Sequence, residues 1–201
     1  MTEQTLPANG PHGVGGGSSI SPARLILYVL GALWSVELLD RILPMDLEAF
    51  GLQPRSVSGL IGILTMPFLH GDMSHLVANT ASMIVLGTLV AFRGPRVFAR
   101  VTVHVMLVAG PAMWLVARSA NHIGASVLIF GYLGFLLSIG VFERQVRSIV
   151  LSVLVGILYG GMIWGVLPGQ PGISWEGHLF GCLGGVHAAR FLSRRADWRR
   201  P

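Results

Sequence analysis

Lysine is absent from this chain of 201 residues, cysteine occurs once, and acidic residues number only nine. With Cys182 alone there can be no internal disulfide and no thiolate metal cluster. Charged residues make up 11% of the chain, against about 25% in an ordinary soluble domain. That leaves too little polar surface to keep a domain of this size in water. The basic balance, net +5, comes from 14 Arg in short connections and at the C-terminus. They form no continuous basic face with interleaved aromatics, so nucleic acid is excluded as a partner.

What the chain does have is apolar sequence. Hydrophobic residues account for 52% of it, and the length suits one compact domain solvated largely by a lipid bilayer. Residues 1–22 are rich in Gly, Ser and Pro and lack the charged-then-apolar order of a signal peptide, so they read as a flexible tail. Residues 23–193 form the membrane domain, and 194–201 a basic C-terminal tail.

Six apolar runs have spanning length: Arg24–Leu43, His75–Phe92, Val97–Ala117, Gly124–Phe142, Ser148–Leu167 and Trp175–Leu192. The first carries Glu37, Asp40 and Arg41, and Glu37 and Arg41 are spaced to pair on one helix face. Between the first two runs lies a long connection whose apolar stretch, Val57 to Leu69, is too short to cross a core about 30 Å thick. An interfacial or re-entrant position is expected for it. With six spans, eleven of the Arg fall on the side of the termini and only Arg41, Arg55 and Arg118 on the other. Basic loops stay in the cytoplasm, so both termini are expected inside.

In that topology the second, fourth and sixth spans all begin at the outer face. Each begins with a polar cluster: His70-Gly-Asp-Met-Ser-His75 with Asn79, His122-Ile-Gly124-Ala-Ser126, and Ser174-Trp-Glu-Gly177-His178 with Gly181. Ionisable groups inside a span are expensive and mark function by default. Ser126 lies roughly 5–10 Å below the outer boundary. A serine there packs helices unless a base is within reach, which would make it a nucleophile. His178 is the candidate base. The small residues Gly177, Gly181 and Gly185 on its helix, and Gly124, Gly131 and Gly134 on the other, allow close helix approach. His75 and Asn79 are separated by about 40° on a helix, so both can donate hydrogen bonds toward one point, as an oxyanion requires.

The competing chemistries are weaker. His70 and His75 lie about 140° apart on a helix, and a site built from His70, Asp72, His75 and His178 matches no metal-ligand spacing. A Cys182–His178 dyad would lie deeper, where a thiolate is disfavoured, so Cys182 reads as a small buried residue. Glu176 beside Trp175 reads as an interfacial anchor, and His104 and His187 as structural.

At these residues the chain resembles the rhomboid family of intramembrane serine proteases, from the first span to about Leu192. His70-x4-His75-x3-Asn79, Gly124-Ala-Ser126 and Gly177-His178-x2-Gly181 match that family's motifs on its second, fourth and sixth helices, in order. The resemblance implies an all-α, six-helix membrane bundle and a serine endopeptidase with no cofactor and no metal. It makes Ser126 the nucleophile and His178 the base. The oxyanion hole would be His75, Asn79 and the Ser126 N–H, with His70 holding the first loop. The fifth span would be a mobile gate, and the outer loop Leu167–Ile173 a cap. Expected partners are the lipid bilayer and transmembrane protein substrates cut within or beside their spans. The expected location is a bacterial inner membrane, with the site open to the extracytoplasmic side. Val127 stands where the family commonly has Gly; a branched side chain there could crowd the contact between the fourth and sixth spans or tilt the oxyanion donor, but both members of the dyad are kept and Val127 reads as a tolerated variant. The Trp-Arg pair of the first loop of some members has no clear equivalent, and Arg55 is a poor match. A non-catalytic relative that binds membrane helices is the alternative.

Overall fold

The structure, a computed structural model, describes residues 20–169 and 172–194. The expected N-terminal tail lies outside the described residues up to residue 19, and the C-terminal tail does so from residue 195. Six long helical segments carry the described chain: α1 (Pro22–Ile42), α2 (Met73–Ala91), α3 (Pro95–Val116), α4 (Ser126–Glu143), α5 (Val146–Val166) and α6 (Trp175–Ser193). No strand occurs among the described residues beyond a single bridge between Leu52 and His122. Four of the segments, α2 to α5, are long and apolar enough to cross a membrane.

The boundaries follow from capping chemistry. Ser21 accepts the Arg24 N–H ahead of Pro22, whose missing N–H costs nothing at a helix start. Asp72 accepts the N–H of His75 at 2.9 Å and opens α2. Gly94, at φ 106°, turns the chain into Pro95 of α3. Near its middle α2 widens into a π-helical turn over Met83–Gly87, and α5 tightens into a 3-10 turn over Gly160–Val166.

The core is arranged around α4. This helix is apolar on all sides, and 72% of it is buried, whereas only 6% of α5 is. Tyr132, Leu133, Phe135 and Leu136 are fully enclosed by α3, α5 and α6. An all-round apolar helix belongs in such a position. Its contact with α6 is backbone to backbone. A Cβ on Gly181 would collide with the Val127 carbonyl, one on Gly185 with the Gly131 carbonyl, and one on Gly134 with the Cys182 carbonyl. Small residues therefore do the work expected of them. What Gly181 meets is the main chain of Val127 rather than its branched side chain.

The first loop folds as short helical turns over Leu47–Phe50 and Ser58–Phe68. Gly59, Gly62 and Met66 face the protein, while Val57, Leu60, Ile61 and Leu64 face outward. Ile63 enters a notch left by Gly110 of α3. Arg55 ties the loop down by donating to the carbonyls of Ala117 (2.7 Å) and Leu115 (3.3 Å) and to the Ser119 hydroxyl (2.9 Å). Trp114 adds an indole N–H bond to the Ser56 carbonyl at 2.8 Å. The Glu37–Arg41 pair forms as its spacing predicts, at 2.7 Å.

Candidate functional site

Ser126 is the first residue of α4 and is half-buried. Its position depends on the segment before it. Gly124 sits at φ 117°, a conformation open to glycine and strained for other residues, and its N–H donates to the Met66 carbonyl at 2.8 Å. A Cβ there would stand 2.7 Å from His75 Nε2 and 3.5 Å from Asn79 Nδ2. Glycine is thus required twice, for the turn and for the approach of the α2 side chains. The next N–H, of Ala125, points at His70 Nε2 at the long distance of 3.5 Å.

His70 itself is 2% exposed, with its ring edge-on to that of His75 at 5.1 Å. Burial, and after it the neighbouring His75, hold its pKa down to about 4. It is therefore a neutral ring at ordinary pH, able to accept the Ala125 N–H. His75 is half-buried one turn into α2, and Asn79 lies a turn further on, 6% exposed. The Asn79 Nδ2 donor has no hydrogen-bond partner among the described residues. A buried amide donor without an acceptor is uncommon and marks either a strained group or one awaiting a ligand.

His178 lies one turn into α6. Its Nδ1 is 2.9 Å from the Gly165 carbonyl, and a carbonyl can only accept, so Nδ1 carries the proton and Nε2 keeps its lone pair. The ring also lies flat on Phe130, one turn beyond Ser126 on α4. Ser126, His178, His75 and Asn79, from three helices, line one cavity of about 800 Å³ together with Phe130, Met162 and Ser174. Among the described residues no hydrogen bond joins Ser126 to His178. The two share the cavity.

A second layer of bonds fastens the rim. The His122 Nε2–H donates to the Arg118 carbonyl at 3.1 Å, so Nδ1 accepts the Ser174 hydroxyl at 2.6 Å. Ser174 caps α6 by accepting the Gly177 N–H at 3.3 Å. The main chain of His122 pairs with Leu52 of the first loop in both directions. His122 is 1% exposed, and burial lowers its pKa. Glu176 is 3% exposed and faces Arg118, whose guanidinium stands 3.6 Å away and whose N–H it accepts at 3.3 Å. This corrects the expectation of an interfacial anchor: Arg118 supplies the counter-charge that lets Glu176 be buried. Cys182 is half-buried rather than enclosed, because its main chain is what packs on Gly134.

Phe130 and Gly165 were not singled out in the sequence, and Ser174 and Arg118 were named there without a role in the site. Phe130 and Ser174 were within reach, at four residues after Ser126 and four before His178, the spacing of neighbours on a helix. Gly165 carried no signal. His104 and His187 have found each other across α3 and α6, at 2.7 Å between ring nitrogens. Among the described residues no three His, Cys, Asp or Glu side chains are grouped to hold a metal ion.

Comparison with known proteins gives a consistent result. Residues 58–195 match the Rhomboid domain family. The chain is 38% identical over 201 residues to an uncharacterized protein of Mycobacterium tuberculosis, covering 96% of this chain and 81% of that one. It is 41% identical over 177 residues to an uncharacterized protein of Mycobacterium leprae, covering 84% and 70%. A protein of Acanthamoeba polyphaga mimivirus named as a rhomboid protein is 27% identical over 130 residues, covering 64% and 72%.

Proposed function

Because this chain belongs to the rhomboid family, we propose that it is an intramembrane serine endopeptidase cutting peptide bonds within or next to transmembrane segments of other proteins. The observation that carries this reading is the convergence of Ser126, His178, His75 and Asn79 on one cavity, with the His178 Nδ1–H already engaged by Gly165.

In this reading the free Nε2 of His178 takes the proton of Ser126 as its oxygen attacks the scissile carbonyl. The Gly165 carbonyl takes the part that an aspartate has in a triad, holding the tautomer and the ring angle. Phe130 fixes the plane of the ring from below. The negative oxygen of the tetrahedral intermediate is received by the Asn79 amide, the His75 ring and the Ser126 N–H, which removes the mismatch of a buried donor without an acceptor. His178 then returns the proton to the leaving amine, and water repeats the sequence on the acyl-enzyme. Val127 fits this reading, since Gly181 approaches its main chain rather than its side chain.

We place α1 and α6 across the membrane with the other four helices, both termini in the cytoplasm, and the cavity open to the extracytoplasmic side of a bacterial inner membrane. The arginine distribution supports this orientation. The fifth helix, the least buried, would be the gate, and the loop after it the cap; residues 170 and 171 of that loop lie outside the described residues. Cleavage of a single-span substrate in detergent, with Ser126→Ala and His178→Ala as controls, tests the assignment. Undiminished cleavage by Ser126→Ala would overturn it.

A second reading rests on the absence, among the described residues, of a Ser126–His178 hydrogen bond: a rhomboid-fold protein that binds membrane helices without cutting them. Covalent labelling of Ser126 by a fluorophosphonate excludes it, and a folded parent chain that stays unlabelled but captures a single-span peptide supports it.

A further inference from the structure

Ser126 and His178 sit on different helices, and no hydrogen bond among the described residues joins them. Each, however, lies four residues beyond one member of another pair that is joined. Four residues before Ser126 is His122, four before His178 is Ser174, and these two share a hydrogen bond of 2.6 Å. We propose that the His122–Ser174 bond is the positioning device of the site, fixing the start of α4 against the start of α6 and so the separation of the two reacting side chains.

The surroundings of the bond suit that task. His122 is 1% exposed and anchored on every side: its Nε2–H to the Arg118 carbonyl, its main chain to Leu52 in both directions, its Nδ1 to Ser174. Ser174 in turn accepts the Gly177 N–H, so the hydroxyl that receives this N–H also donates to the imidazole. A parallel brace runs beside it, from the Arg118 guanidinium to the Ile173 carbonyl at 2.6 Å and to Glu176. Below this level the α4–α6 contact is glycine on backbone, which sets how closely the helices approach. The hydrogen bond at the rim adds a directional constraint. His122 and Ser174 act through Ser126 and His178 and are positioning residues, not catalytic ones.

The inference rests on the protease reading and deepens it. It is tested by measuring, for the full chain in detergent, the fluorophosphonate labelling rate of Ser126, the kcat and KM of substrate cleavage, and the melting temperature. His122→Ala, Ser174→Ala, the double variant and Ser174→Thr are compared with the parent. A displacement of about 1 Å lowers rates by about 100-fold, so each alanine variant is expected to label Ser126 about 10- to 100-fold more slowly. The loss is expected in kcat with KM unchanged. The double variant is no worse than either single one, because one bond is lost once. Ser174→Thr, which keeps the hydroxyl, restores the rate. Ser174→Ala leaves the imidazole in place and serves if His122→Ala does not fold. Folded alanine variants that label and cleave at the parent's rate overturn the inference and leave the protease reading standing. So does a failure of Ser174→Thr to recover while Ser174→Ala stays folded. A folded parent that is not labelled at Ser126 overturns both.

Discussion

The imidazole of His178 lies on the ring of Phe130 with 3.9 Å between centroids and 8° between planes. Phe130 is 5% exposed and rides on the same helix as Ser126, one turn further on. The helix that carries the Ser126 hydroxyl thus also carries the surface on which the His178 ring rests. Any rotation of α4 moves both together.

Replacing that surface should therefore disturb the proposed base, His178, more than the fold. Phe130→Leu keeps an apolar side chain but loses the stack, which is worth about 0.5–1.5 kcal/mol. Cleavage is expected to fall by roughly tenfold, mostly in kcat, on the assumption that about 1.4 kcal/mol of positioning is lost. Steady-state kinetics beside a thermal melt separate the two effects. A tenfold fall accompanied by an equally large loss of folded protein would mean that Phe130 only packs.

Gly124→Ala should be more damaging. The new methyl would press on the His75 ring in a backbone conformation that alanine resists. Displacing an oxyanion donor lowers kcat by about 100- to 1000-fold. The expected signature is a collapse of kcat with substrate binding retained, read from kinetics and from substrate crosslinking. Retained activity within a factor of two would remove His75 and Asn79 from the proposed oxyanion hole.

Gly185→Ala tests the helix contact rather than the chemistry. Its Cβ has no room before the Gly131 carbonyl, so α4 and α6 must part. Overpacking of this kind costs typically about 1–3 kcal/mol. A lowered melting temperature in detergent is expected, with Gly181→Ala behaving alike. An unchanged melt would show that the helices separate without penalty.

Stability should also depend on pH, through the two buried loop histidines. The folded state holds the pKa of His70 near 4 and lowers that of His122, against 6.5 for a free ring, mainly through burial. Between pH 6.5 and 4 the unfolded chain therefore binds protons that the folded chain refuses. Stability from this source is complete above 6.5 and declines as the pH falls through that window, by on the order of 3 kcal/mol for His70 alone. Melting temperatures at pH 7.5, 6 and 5 should fall in order, and His70→Gln should flatten the slope. A slope that survives both His70→Gln and His122→Asn would have another origin.

The helices were readable because a run of spanning length, punctuated by Gly, Pro and capping residues, leaves few alternatives. The expected run Val97–Ala117 and the observed Pro95–Val116 differ by two residues at one end and one at the other. The three polar clusters were readable for a related reason, since polar groups are few in such a chain. Partners distant in sequence were not. Glu176 looked like an interfacial group because nothing near it in the chain announced Arg118, 58 residues away. His104 and His187 are 83 apart and belong to no motif. Gly165 entered the site through its carbonyl, which every residue type possesses, so no side-chain pattern could have revealed it.

The burial of α4 has a further implication for how the protein meets different membranes. Its surroundings are supplied by neighbouring helices, so lipid chemistry reaches Ser126 only at second hand. The outlying α5 lacks such shelter, so bilayer thickness or detergent chain length should act on it directly. Varying the host membrane should therefore alter how readily a substrate enters, while the intrinsic reactivity of the serine toward a small soluble probe stays constant.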